Sequence, residues 1–211
     1  MNGDVEKLVL ALHGLSIRRS ADPAWSRSAA VRVIDCVLSL NRNYDRFVVP
    51  RRDQFALRHP QVCSITDLKG LIATYDSPNN FVIDALNYRH ESRAIVLAEV
   101  VNWMSRIAGD GSYDEQLLNL EQWARNAKPS DSFGIGIKHF GLAGFQYLRM
   151  LFGADTAKPD KHICDFVTRA IGHPITQLSA LLLLEESCRS AKILVHDADT
   201  TIWESTVRGR N

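Results

Sequence analysis

Apolar residues recur at three- and four-residue spacings along nearly the whole of this chain, and no stretch alternates apolar with polar. That pattern most constrains the fold, because a period near 3.6 places one apolar stripe on a helix whereas strands need a period of 2. The clearest case is residues 91–107, where Ala94, Leu97, Val101, Met104 and Ile107 share one side. The expected fold class is therefore all-α, a two-lobed bundle of ten or so helices with a cleft between the lobes.

Start and stop signals divide the pattern into elements. Helices are expected over residues 4–14, from the cap and first turn at Asp22-Pro23 to about Asn41, over 44–58, and over 65–74 behind a Ser64/Asp67 capping box. Further helices follow over 77–87, begun by Ser77-Pro78, then 91–107 and 113–126 after the turn Gly109-Asp110-Gly111-Ser112. The C-terminal third adds a helix from about Lys138 to Gly153, one over 160–171 stopped by Gly172-His173-Pro174, an apolar one within 175–194, and a last one over 197–207 docked by Trp203. Trp25, Trp103, Trp123 and Trp203 are mainly core candidates.

Residues 133–163 carry the most chemical information. A glycine-rich turn (Gly134, Gly136) opens the helix from Lys138, and a short loop after Gly153 leads to Pro159 and Asp160. Glycines allow positive φ and close backbone approach, and the first amides of a helix have no internal partners. Such a turn can hold a phosphate. Asp160 falls at the first turn of the next helix, where the dipole favours a carboxylate. A carboxylate beside a phosphate-binding turn suits chemistry on a nucleic-acid backbone.

In this order of turn, apolar helix, Phe-Gly and Asp-x-His-Ile, the chain resembles the helix-hairpin-helix (HhH-GPD) DNA glycosylase superfamily, in particular its endonuclease-III-like members without an iron–sulfur cluster. The matching residues are Gly134, Gly136, Lys138, Phe152, Gly153, Asp160, His162 and Ile163, and Ile34 to Asn41 is similar to the family's early helix with its DNA-probing polar residue. The resemblance covers roughly residues 28–170. It implies a single unit of two interleaved lobes, approximately 1–42 plus 160–211 and 43–159. It also implies Asp160 as the catalytic carboxylate and Lys138 as the amine of a bifunctional enzyme. Counting back from Asp160 without gaps places Leu142 at the family's lysine position; Lys138 matches only with four extra residues, about one helical turn. DNA contacts are expected from Gly134, Gly136, Ile137, His139, Asn41 and Arg42.

Composition enters where partners and compartment are concerned. A formal charge of +1 does not announce a nucleic-acid binder, yet nine arginines fall between residues 16 and 60 against four aspartates, a segment suited to phosphates. Arg89, His90 and Arg93 begin the helix over 91–107 and are weaker candidates of the same kind. Cys36, Cys63, Cys164 and Cys188 form no closely spaced set, so no metal or other cofactor is expected and buried free thiols in a reducing cytosol are. The acidic start and short apolar runs point away from a signal peptide or membrane span. The expected function is excision of a damaged or mismatched base from double-stranded DNA by a cytoplasmic monomer, nucleoid-associated if bacterial. The alternatives are a non-catalytic DNA-binding protein with the same fold and an unrelated helical interaction protein.

Overall fold

The computed structural model describes residues 2–18 and 27–208; Arg19, the Asp22-Pro23 cap and Trp25 lie outside the described residues. Among the described residues the chain is all-α, with no strand. The helices are α1 (Asn2–His13), α2 (Ala29–Leu38), α3 (Val49–Arg58), α4 (Ile65–Ala73), α5 (Pro78–Leu86), α6 (Glu91–Ala108), α7 (Tyr113–Asn126), α8 (Leu142–Leu151), α9 (Lys161–Ile171), α10 (Gln177–Ala191) and α11 (Val195–Arg208). A π-helical turn, Tyr44–Val48, runs into α3, and a 3-10 turn, Pro129–Gly134, precedes the loop before α8.

Caps explain most of the boundaries. Ser28 accepts the amide of Val31 and begins α2. Ser64 with Asp67, and Ser112 with Glu115, form reciprocal capping boxes for α4 and α7. Residues 44–58, expected as one helix, divide because the first five residues take the wider π turn, which turns the Tyr44 hydroxyl onto Asp35.

Two apolar cores organise these helices. The larger contains residues from α2 through α8, centred on Phe55, Phe81, Val100, Met104, Phe145 and Phe152. The smaller joins α1 to α9, α10 and α11 through Leu8, Leu12, Val167, Leu181, Leu184 and Ile202. The expected lobe boundary near residue 42 is therefore displaced: α2 belongs to the larger core. All ten of its residues are buried, and a helix covered on every side must run through the middle of a lobe. Gly144 lets α8 approach: a Cβ there would stand 2.9 Å from Phe140 Cε2 and 3.0 Å from Leu40 Cδ2.

Candidate active site

Between the two cores lies a cleft of about 1040 Å³, just above the roughly 300–1,000 Å³ common for ligand sites. Its walls come from the end of α2 and the following loop, the turn before α8 and α8 itself, residues 158–163, and α11.

Asp160 lines the cleft as the N-cap of α9, one position before the first turn expected for it. Its Oδ1 accepts the amides of His162 at 2.8 Å and Ile163 at 3.4 Å. The carboxylate is thereby oriented by the helix it starts, where the dipole favours negative charge. Lys158 lies two residues earlier. Its Nζ donates to Ser39 Oγ at 3.1 Å and stands 4.4 Å from the centre of the Tyr147 ring, a cation–π contact, so the side chain reaches from the loop to the end of α2.

Below these groups is a buried charge network. Asp35, fully buried on α2, accepts hydrogen bonds of 2.8 Å each from the Tyr44 hydroxyl, the Tyr147 hydroxyl and Arg52 Nη1, and Arg27 Nη1 is 3.6 Å away. Burial, and then the charge of Asp35, pushes the Tyr44 hydroxyl up to about 12 and holds that of Tyr147 well above its usual range. Both phenols are therefore neutral donors at ordinary pH. Burial opposes the charge on Arg52, but hydrogen bonds to Asp53 and Asp35 outweigh it and hold the guanidinium above its usual range. Tyr44, Tyr147 and Trp203 all line the cleft, with the Tyr44 and Trp203 rings edge to face at 5.8 Å.

Asn41 and Arg42 also line the cleft, on a loop the protein holds firmly. Asn41 has φ 56°. Arg93 Nη2 caps the Leu40 carbonyl at 2.8 Å, and the Arg42 guanidinium donates to the Tyr88 hydroxyl from Nη2 at 2.9 Å and to the Asn41 carbonyl from Nη1 at 3.1 Å. Arg93 is buried, so this residue, expected as a strand contact, instead supports the loop; His90 caps α6.

The hairpin differs most from expectation. The helix begins at Leu142, behind Gly141, and not at Lys138. Residues 136–141 form an open turn with positive φ at Gly136 (72°) and His139 (66°). A helix cannot run through two left-handed positions, which is why the expected start moves by four residues. Lys138 is exposed in this turn and does not line the cleft, and neither do Gly134, Gly136 and Ile137; His139 does. Leu142, at the ungapped register position, begins the helix and lines the cleft. No side chain caps α8, so its first amides, at cleft-lining Leu142, Ala143 and Gly144, are open to an anion.

Lys158, Trp203 and Asp199, which also lines the cleft, have no counterpart among the expected site residues. Trp203, expected to dock α11 into the core, is only partly buried. Its spacing of four from Asp199 was the available signal, since residues i and i+4 share a helix face. The thiols of Cys36, Cys164 and Cys188 are poor nucleophiles: burial pushes Cys188 up to about 12 and raises Cys36 and Cys164 as well. Cys36 and Cys188 are buried as expected, whereas Cys63 and Cys164 are only partly so. No group of three or more metal-ligating side chains occurs among the described residues, and no helix among them is long and apolar enough to cross a membrane.

Residues 6–207 match the family described as Domain of unknown function (DUF8548), and the chain belongs to that family. Comparison with curated proteins and with solved structures finds no match.

Proposed function

We propose that this protein is a DNA glycosylase that cleaves the N-glycosidic bond of a damaged or mismatched base, with Asp160 as the carboxylate at the reacting sugar. The observation that carries the reading is the convergence of Asp160, Lys158, Asn41, Arg42, His139 and the open amides of α8 on one cleft between two helical lobes. The target nucleotide turns out of the duplex into this cleft, where Trp203 and Tyr44 offer aromatic surface. The α8 amides and Arg42 hold the strand through its phosphates. As the bond to the base breaks, positive charge grows on the sugar; the fixed carboxylate stabilises it and orients water toward the sugar carbon.

The position of Lys158 favours a second reading of the same site, in which its amine attacks the sugar carbon, the base leaves, and a Schiff base forms. Borohydride then traps wild-type protein on DNA, and Lys158→Met does not. Lys138, exposed outside the cleft, is not needed for either route, and Lys138→Ala keeps full activity.

The test is a lesion-panel excision assay on labelled duplexes. Wild-type protein releases at least one damaged or mismatched base, and Asp160→Asn loses about 100-fold or more of that rate while retaining DNA affinity. Release of no base across the panel refutes the reading, as does full activity of the Asp160 variant.

A further inference from the structure

Excision leaves an electron pair on the departing base, and the cleft that holds Asp160 holds a second carboxyl group as well. Asp199 lies on α11 and lines the cleft with Asp160. Its Oδ1 accepts the backbone N–H of Lys158 at 2.9 Å, which ties α11 to the loop that carries Asp160. The two acids have unlike surroundings. Asp160 receives two amides at a helix N-terminus, an arrangement that favours an anion. Asp199 receives one amide from a loop and keeps only a small part of its surface open to the cleft. The groups that face it are Lys158 and Asp160 from the loop and Cys188 from α10, with His162 on the same cleft. Loss of water, joined by the negative charge of Asp160, outweighs the Lys158 amide and ammonium and pushes Asp199 up to about 7. A carboxyl kept from water holds its proton and can supply it to a group that enters the same cleft.

Resting on the glycosylase reading, we propose that Asp199 is the general acid of excision, donating its carboxyl proton to the leaving base. The N-glycosidic bond breaks with its electron pair on the base nitrogen, and the Asp199 proton moves to the base, leaving a carboxylate on α11. Water adds to the sugar carbon and gives up its proton to Asp160. Solvent then restores the proton of Asp199 and takes that of Asp160, so the net reaction is hydrolysis. The substrate class follows from this role: bases that leave poorly unless protonated.

The test is single-turnover excision from about pH 6 to 9 with two duplexes, one carrying the base identified by the lesion panel and one a base activated to leave without a proton. With the ordinary base, wild-type rates fall about tenfold per pH unit above the Asp199 transition. With the activated base they are flat. Asp199→Asn slows the ordinary base about 100-fold, loses the fall with pH, and spares the activated base. A wild-type fall of the same size for both bases overturns the proposal without recourse to a variant, and equal slowing of both bases by Asp199→Asn overturns it too. Absence of excision by wild-type protein on every base refutes the glycosylase reading itself, and this proposal with it; excision by wild type with an unchanged Asp199→Asn profile removes only the general acid.

Discussion

Replacing Asp35 with asparagine is expected to be among the most damaging isosteric changes in this chain. The carboxylate is fully buried and accepts three hydrogen bonds of 2.8 Å, from Tyr44, Tyr147 and Arg52. Asparagine keeps the shape but removes the charge opposite Arg52, and its NH2 group turns a donor toward one of the three donors. Removing one partner of a buried ion pair costs about 3–5 kcal/mol, and an orphaned buried phenol adds about 1–3 kcal/mol. Because these groups form one unit the terms do not add fully, and about 4 kcal/mol is expected. That is a large share of the roughly 5–15 kcal/mol typical of a whole domain. At about 2–4 °C per kcal/mol for a chain of this size, Tm falls by about 8–16 °C. Urea unfolding followed by far-UV circular dichroism measures the loss, with the slope unchanged if the native state stays compact. A loss below about 1 kcal/mol would refute a tightly coupled buried network. The double variant Asp35→Asn with Arg52→Met should cost less than the two single variants summed, because it removes the stranded guanidinium.

Other expectations are simpler to state. Asp199 gives a pH dependence of stability whose sign follows from its raised value of about 7: between about pH 4 and 7 the native carboxyl is protonated and the unfolded one is not, so stability falls as pH rises through that window. Asp199→Asn removes this fall, and melts across the range should show the variant gaining on wild type toward pH 7 and above. Gly144→Val places methyl groups where even a Cβ meets Phe140 and Leu40 at about 3 Å; overpacking of about 1–3 kcal/mol is expected by denaturant titration. Asp160→Ala removes the α9 cap and costs about 1 kcal/mol, whereas Asp160→Asn keeps a capping oxygen and is nearly neutral in stability, so thermal melts separate folding from any loss of excision.

The legible parts of this fold were those set locally. Ser64 with Asp67, Ser77 before Pro78, Ser112, and Gly172 mark their helix ends in sequence, and each does so in the structure. Asp160 was legible as a helix-start acid because Pro159-Asp160 stands before an apolar helix pattern, and it is the N-cap of α9. The start of α8 was not, because His139 adopts a left-handed conformation that its residue type does not announce. Lys158 was hidden for a different reason. Its place in the cleft depends on Ser39 and Tyr147, 119 and 11 residues away in sequence, and no local pattern reports such a contact. The depth of Asp35 had a signal, the one acid in a helix whose other residues are apolar except Arg32, but its partners lie 9, 17 and 112 residues distant. The same holds for α2, whose place in the larger core depends on helices distant in sequence.

The central claim is that the cleft receives a nucleotide extruded from a duplex. It is tested most directly by anisotropy measurements of the wild-type protein with a labelled duplex carrying an abasic-site analogue, and with the same undamaged duplex, at two salt concentrations. Tighter binding to the abasic duplex is predicted, with both affinities weakening as salt rises because phosphate contacts release counterions. Equal affinity for the two duplexes, or no salt-dependent binding to either, would contradict it.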